Sequence, residues 1–132
     1  MTTEAHAWNS NLDVGHEAMD HEHHLQIALL SACVDAVDPR RPGMARRLAD
    51  HLLHYSVVHF GSEELLMEGA AYPARDRHAG EHASFVETIR EVQRAYAAGE
   101  EDLAAATAVE LRAALGSHMN EADRRLAEHV RR

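Results

Sequence analysis

Apolar positions recur at spacings of three and four along most of the chain, the period of a helix that buries one face. They form four runs. The first reads His23, Ile27, Leu30, Val34, Val37, and the second Leu48, Leu52, Tyr55, His59, Glu63, Leu66. The third reads His78, His82, Phe85, Ile89, Val92, Tyr96, and the fourth Ala108, Leu111, Leu115, His118, Ala122. Nothing alternates with period two, so strands are not expected. Asp38-Pro39-Arg40-Arg41-Pro42-Gly43 breaks the pattern once, Gly69-Ala70-Ala71-Tyr72-Pro73 breaks it again, and Gly99 marks a weaker third break. The pattern predicts an all-α, up-down-up-down antiparallel four-helix bundle. The residues before about position 15 read as an extended N-terminal arm, with Trp8 packing back on the bundle. At 132 residues, one domain over 1–132 is expected.

The polar residues fall in informative places. In every run a histidine takes a register position that belongs to an apolar side chain. A single such histidine is more often a hydrogen-bonded core residue than a ligand. Four runs doing so together, with Glu63 and Asp123 nearby, reverse that reading, because buried ionisable groups are costly unless paired or bound to metal. Imidazoles and carboxylates converging from four helices point to a metal site inside the bundle.

Composition narrows the options. Hydrophobic residues make up 45% of the chain, enough for a core, and the net charge of −9 disfavours nucleic acid and anionic membrane. The lone Cys33, among Leu29, Leu30 and Val34, excludes an internal disulfide and reads as packing. No signal peptide and no run near the roughly 20 apolar residues of a membrane span are visible, so a cytoplasmic location is expected. All basic residues are arginine, which we read as a genomic habit.

Spacing then sorts the candidate ligands. His59 and Glu63, and likewise His78 and His82, are four apart, about 40° around one helix face. His118 and Asp123 are five apart, about 140° on an ideal helix, too wide for one ion unless the carboxylate reaches a second ion or the helix deforms. His23 comes alone. Five imidazoles and two carboxylates exceed one ion and suit two; with a bridging oxide or hydroxide they fill all but one position of two six-coordinate ions. Nitrogen-rich six-coordinate pairs favour iron, and the absence of cysteine ligands disfavours copper(I) and iron–sulfur clusters.

These residues resemble the hemerythrins, in particular the short single-domain bacteriohemerythrins. Helix A carries Val14-Gly15 and then Met19-Asp20-His21-Glu22-His23, and helix B carries His59-Phe60-Gly61-Ser62-Glu63-Glu64. Helix C carries His78-Ala79-Gly80-Glu81-His82, and helix D carries His118-Met119-Asn120-Glu121-Ala122-Asp123. The resemblance implies reversible dioxygen binding at a carboxylate-bridged di-iron centre. It would place His78, His82 and His118 on the coordinatively full iron, and His23 and His59 on the iron with the open position. Glu63 and Asp123 would bridge. Ile27, Phe60, Leu115 and Met119 would line the oxygen pocket. The chain departs from the family's helix-D pattern by carrying Ala114 where tryptophan is common and Met119 where isoleucine is usual; His16 also replaces a commoner apolar residue. A missing indole leaves space or a channel beside the site, and rapid oxidation of the oxygenated form is expected.

Other readings are weaker. His78-Ala79-Gly80-Glu81-His82 matches the HxxEH string of inverted zinc peptidases, but both histidines are already explained within the larger set. His51, His54, His21 and His24 read as solvated, His129 as more exposed than capping, and His6 carries no signal. An oxygen or redox sensor, or a di-iron enzyme acting on peroxide or nitric oxide, is the alternative to carriage, storage or delivery of oxygen to an unknown consuming partner. An oxidase is disfavoured because ferritin-type oxidases rely mostly on glutamates.

Overall fold

The computed structural model describes residues 12–36, 40–41 and 43–131. Four helical rods form, as the periodicity predicts: α1 is Glu17–Asp35, α2 Met44–Gly69, α3 Arg75–Ala97 and α4 Glu101–His118. A π-helical turn, Met119–Asp123, joins α4 to a last short helix, α5, Arg124–Val130. No strand occurs among the described residues. Each helix packs on its sequence neighbour, and α1 also packs on α4, which closes the antiparallel bundle. His6, Trp8, Val37, Asp38, Pro39 and Pro42 lie outside the described residues, as does all of the expected arm before Leu12.

Local chemistry sets the helix ends. The ring Nδ1 of His16 accepts from the Met19 amide at 3.3 Å and so caps α1, a role that serine or aspartate usually fills. Gly43 enters α2 at φ 82°, and Gly99 leaves α3 at φ 78°, both in the left-handed region that glycine occupies without strain. The break at Gly69 differs in detail from its expected form. Gly69 is the last helical residue, and the left-handed position falls two residues later, on Ala71 at φ 51°. The amides of Tyr72 and Ala71 return to the Met67 and Glu68 carbonyls, closing the helix end around that residue. His129 is half-buried rather than exposed, and its Nε2 donates to the Ala70 carbonyl at 2.9 Å, a cap supplied from α5.

The core comes in two parts. The larger includes Ile27, Leu30, Cys33, Leu52, Phe60, Ile89, Val92, Leu111, Leu115 and Met119. The smaller gathers Val14, Met19, Met67, Leu126 and Ala127. Along α1 the buried positions pass from Met19 through His23 to Ile27, and along α2 from Phe60 through Glu63 to Met67. The ionisable residues therefore form a polar layer between two apolar plugs. Solvent reaches it hardly at all.

Candidate metal centre

All seven ligand candidates converge on that layer. His23, His59, Glu63, His78, His82, His118 and Asp123 are each no more than 5% exposed. One ligand atom from each of Glu63, His78, His82, His118 and Asp123 lies within 4.8 Å of every other, and His23, His59 and Glu63 form a second such group. Glu63 belongs to both.

The carboxylates divide their oxygens between the groups. Glu63 Oε2 meets His23 Nε2 at 3.0 Å and His59 Nε2 at 3.1 Å, while Oε1 meets His78 Nε2 at 3.3 Å and His82 Nε2 at 3.1 Å. Asp123 repeats the division: Oδ2 lies 3.0 Å from His23 Nε2, and Oδ1 lies 2.9 Å from His78 Nε2 and 3.1 Å from His118 Nε2. Two histidines face one pair of oxygens and three face the other.

The π-helical turn makes Asp123 part of this arrangement. Five residues span about one turn when the ladder widens to i→i+5, so His118 and Asp123 share a face that an α-helix would deny them. Of the two routes by which a five-residue spacing can serve, the helix takes deformation.

Three histidines are held from behind by carboxylates on neighbouring helices. His59 Nδ1 pairs with Glu22 at 2.5 Å, His82 Nδ1 with Glu64 at 3.0 Å, and His118 Nδ1 with Glu81 at 2.7 Å. A proton held on Nδ1 leaves the Nε2 lone pair facing the cluster, which is the tautomer a metal needs. Phe60 stacks on His82 with centroids 4.1 Å apart and leans on His59 at 5.6 Å, wedging ligands of both groups. Sequence reading overlooked Glu22, Glu64 and Glu81 as partners, although each stands within one residue of a histidine or glutamate ligand.

Charge accounts for the protonation of the metal-free cluster. Burial pushes the His23 imidazolium toward neutrality, but hydrogen bonds to Asp123 and Glu63 outweigh it and raise the pKa to about 10. His78 follows the same balance to about 9, and His59 is raised through Glu63 and Glu22 against its own burial. For Glu63 and Asp123 burial favours the neutral acid, yet the surrounding imidazoles hold both well below the usual carboxylate range. The buried carboxylates thus draw in positive charge. Among the described residues His82 Nε2, His118 Nε2 and Asp123 Oδ1 are left without a well-aligned hydrogen bond, although His82 Nε2 lies 3.1 Å from Glu63 and His118 Nε2 lies 3.1 Å from Asp123 Oδ1. Nitrogen and oxygen donors arranged in this way fit a divalent transition metal.

Ile27, Phe60, Leu115 and Met119 all join one buried cluster beside these ligands. Ala114 is exposed, and the space next to it forms a surface cleft of about 360 Å³, lined also by Phe85, Ser117 and His118. The opening expected from the missing indole therefore approaches the three-histidine side. A second cavity of about 280 Å³, lined by His16, Glu22, Ser62, His59 and Glu63, approaches the two-histidine side. His21, His24, His51 and His54 are exposed, as expected, and Cys33 is buried.

Residues 14–130 match the family model for the hemerythrin HHE cation binding domain. A bacteriohemerythrin of Ralstonia nicotianae is 30% identical over 117 residues, covering 89% of this chain and 82% of that protein. Bacteriohemerythrins of Stenotrophomonas maltophilia and Pseudomonas paraeruginosa are 29% and 27% identical over 94 residues, 71% of this chain in each case. Those two matches span 61% of the relatives' own length.

Proposed function

The chain belongs to the hemerythrin family, and on that premise we propose that it binds dioxygen reversibly at a carboxylate-bridged di-iron centre, to carry, store or deliver it. The observation that carries this reading is the division of the Glu63 and Asp123 oxygens between a two-histidine and a three-histidine group. Shared carboxylates hold two ions side by side, and the unequal histidine count leaves one ion a ligand short. His78, His82 and His118 would hold the full iron, His23 and His59 the open one, with Glu63, Asp123 and an oxo or hydroxo group between them. When bound, the iron pair supplies the electrons and the vacant position for dioxygen.

The remaining work falls to the chain itself. Glu22, Glu64 and Glu81 fix the imidazole tautomers, so little rearrangement accompanies metal or ligand binding. Ile27, Phe60, Leu115 and Met119 keep water and stray protons away from the site, which favours release of oxygen intact over irreversible oxidation. Five imidazoles, neutral when metal-bound, against two carboxylates would offer little anionic support for highly oxidised iron, which favours binding over oxidase or peroxidase turnover.

The whole of 1–132 serves as one such domain in this proposal. No helix among the described residues is long and apolar enough to cross a membrane, which accords with a cytoplasmic oxygen-binding protein. Anaerobically reduced protein should be colourless, colour in air, and bleach again under argon, with two irons per chain by metal analysis. Colour without reversal would favour the sensor or enzyme readings. Zinc, or about one metal per chain, would overturn the di-iron proposal.

A further inference from the structure

Behind the candidate ions, three ligand histidines turn their outer ring nitrogen to a carboxylate. His59, His82 and His118 present Nδ1 to Glu22, Glu64 and Glu81. His23 differs. It is fully buried, and its Nδ1 has no hydrogen-bond partner among the described residues.

The next inward-facing position on α1 holds another polar side chain in an apolar register. Gln26 is also fully buried, three residues after His23 on the same stripe. Its Nε2 donates to Ser56 Oγ at 2.9 Å, and Ser56 is buried on α2, three residues before His59. Its Oε1 has no partner among the described residues. The two unpartnered atoms are complementary. A histidine that gives Nε2 to a metal must keep its proton on Nδ1 and so becomes a donor, while an amide Oε1 only accepts. A buried amide that leaves its carbonyl unsatisfied costs more stability than one hydrogen bond to Ser56 returns, so a leucine would serve packing better.

We propose that Gln26, anchored by Ser56, is the positioning residue for His23: its Oε1 would accept the Nδ1 proton when Nε2 gives up its own proton to bind metal, holding Nε2 toward the Glu63 and Asp123 oxygens. The inference rests on the di-iron reading. It gives that half of the site one neutral partner where the other three are anionic, so His23 donates less strongly to its ion than the carboxylate-backed histidines do.

The test is anaerobic ferrous-iron titration of the metal-free chain and its Gln26→Leu, Gln26→Glu and Ser56→Ala variants, with redox titration of the loaded forms and thermal melting of all. Gln26→Leu should weaken the second equivalent of iron by about 10- to 100-fold, leave the first unchanged, and shift the reduction potential of the loaded protein. Ser56→Ala should do the same more weakly. Gln26→Glu should restore the second equivalent and lower the potential below that of the parent, as a stronger partner does. If folded Gln26→Leu takes up two irons with parental affinity and potential, Gln26 is a core hydrogen bond and the inference falls. It falls equally if the variants change only the melting temperature. Failure of the parent chain itself to bind two irons overturns the di-iron reading instead.

Discussion

Glu63 is the side chain on which both halves of the cluster depend, and replacing it by glutamine tests that claim directly. The change keeps shape and removes charge. The carboxylate is 3% exposed and touches Nε2 of four histidines at 3.0–3.3 Å. His23 and His78 retain Asp123 as a second carboxylate, but among the described residues Glu63 is the one carboxylate at Nε2 of His59 and His82. Removing one partner of a buried ion pair costs about 3–5 kcal/mol. Here the lower end applies, since His59, raised in part by Glu63, can become neutral once that carboxylate is gone. For a domain of this size about 3 kcal/mol corresponds to a fall of about 10 °C in melting temperature. Circular dichroism of the chelator-treated protein at pH 7 measures it, with Glu87→Gln on the exposed face of α3 as the control. In ferrous titrations Glu63→Gln should bind fewer than two irons, because the amide keeps one oxygen but puts NH2 toward the other half, and both halves lose the shared charge. A variant that melts within a degree of the parent and still binds two irons would refute the shared-carboxylate geometry.

Other consequences follow from the same contacts. With His23 raised to about 10 and His78 to about 9, the metal-free chain holds protons that its unfolded form has lost. Their stabilisation is complete below the ordinary histidine value near 6.5 and disappears as pH rises through 9 and 10. The lowered Glu63 and Asp123 contribute fully above the ordinary carboxylate range and lose that contribution progressively as pH falls from this range through their own, lower values. Melting temperature in chelator should therefore peak in mildly acidic solution and decline by pH 10; a steady rise across that range contradicts the charge assignment. Ala114→Trp should fill part of the 360 Å³ cleft beside His118 and lengthen the life of the oxygenated spectrum in stopped-flow, whereas a parent spectrum stable for many hours counts against a leaky site. Ala71→Gly should raise the melting temperature, relieving about 1 kcal/mol of left-handed strain, and an unchanged melt would show that the turn is not strained. His129→Ala should cost about 1 kcal/mol through the lost cap on the Ala70 carbonyl, read by urea unfolding; no loss there would mean that water replaces the ring.

The bundle was legible because one period governs all four rods and because proline and glycine punctuate it. The ligands were legible for a related reason: a histidine in an apolar register stands out against its neighbours, as His82 does before Phe85 and Ile89. What stayed hidden depends on contacts between helices. Glu64 looks like an ordinary solvated acid on α2, and only the approach of α3 turns it toward His82. Gln26 passed unnoticed because one amide in an apolar stripe draws less attention than a charge. Ala71 could not be picked out, since the stop signal at Gly69 hides that the helix runs on to use it and turns two residues later.

Asp123 shows where one-dimensional reading and geometry part. Extrapolating an ideal helix from His118 turns Asp123 about 140° away from the ligand face. The chain instead widens one turn, and the widening is confined to Met119–Asp123, with ordinary helix on both sides. Such a turn is rare because it weakens the ladder, so something must hold it. Met119 and Ala122 are buried and anchor the turn against the core, while the Asp123 carboxylate is drawn to His23, His78 and His118. Without Asp123 the link between the two histidine groups would rest on the oxygens of Glu63. The π-helical turn therefore does for α4 what the four-residue spacing of His59 and Glu63 does for α2: it brings a histidine and a shared carboxylate to one face, by widening a turn that α2 keeps regular.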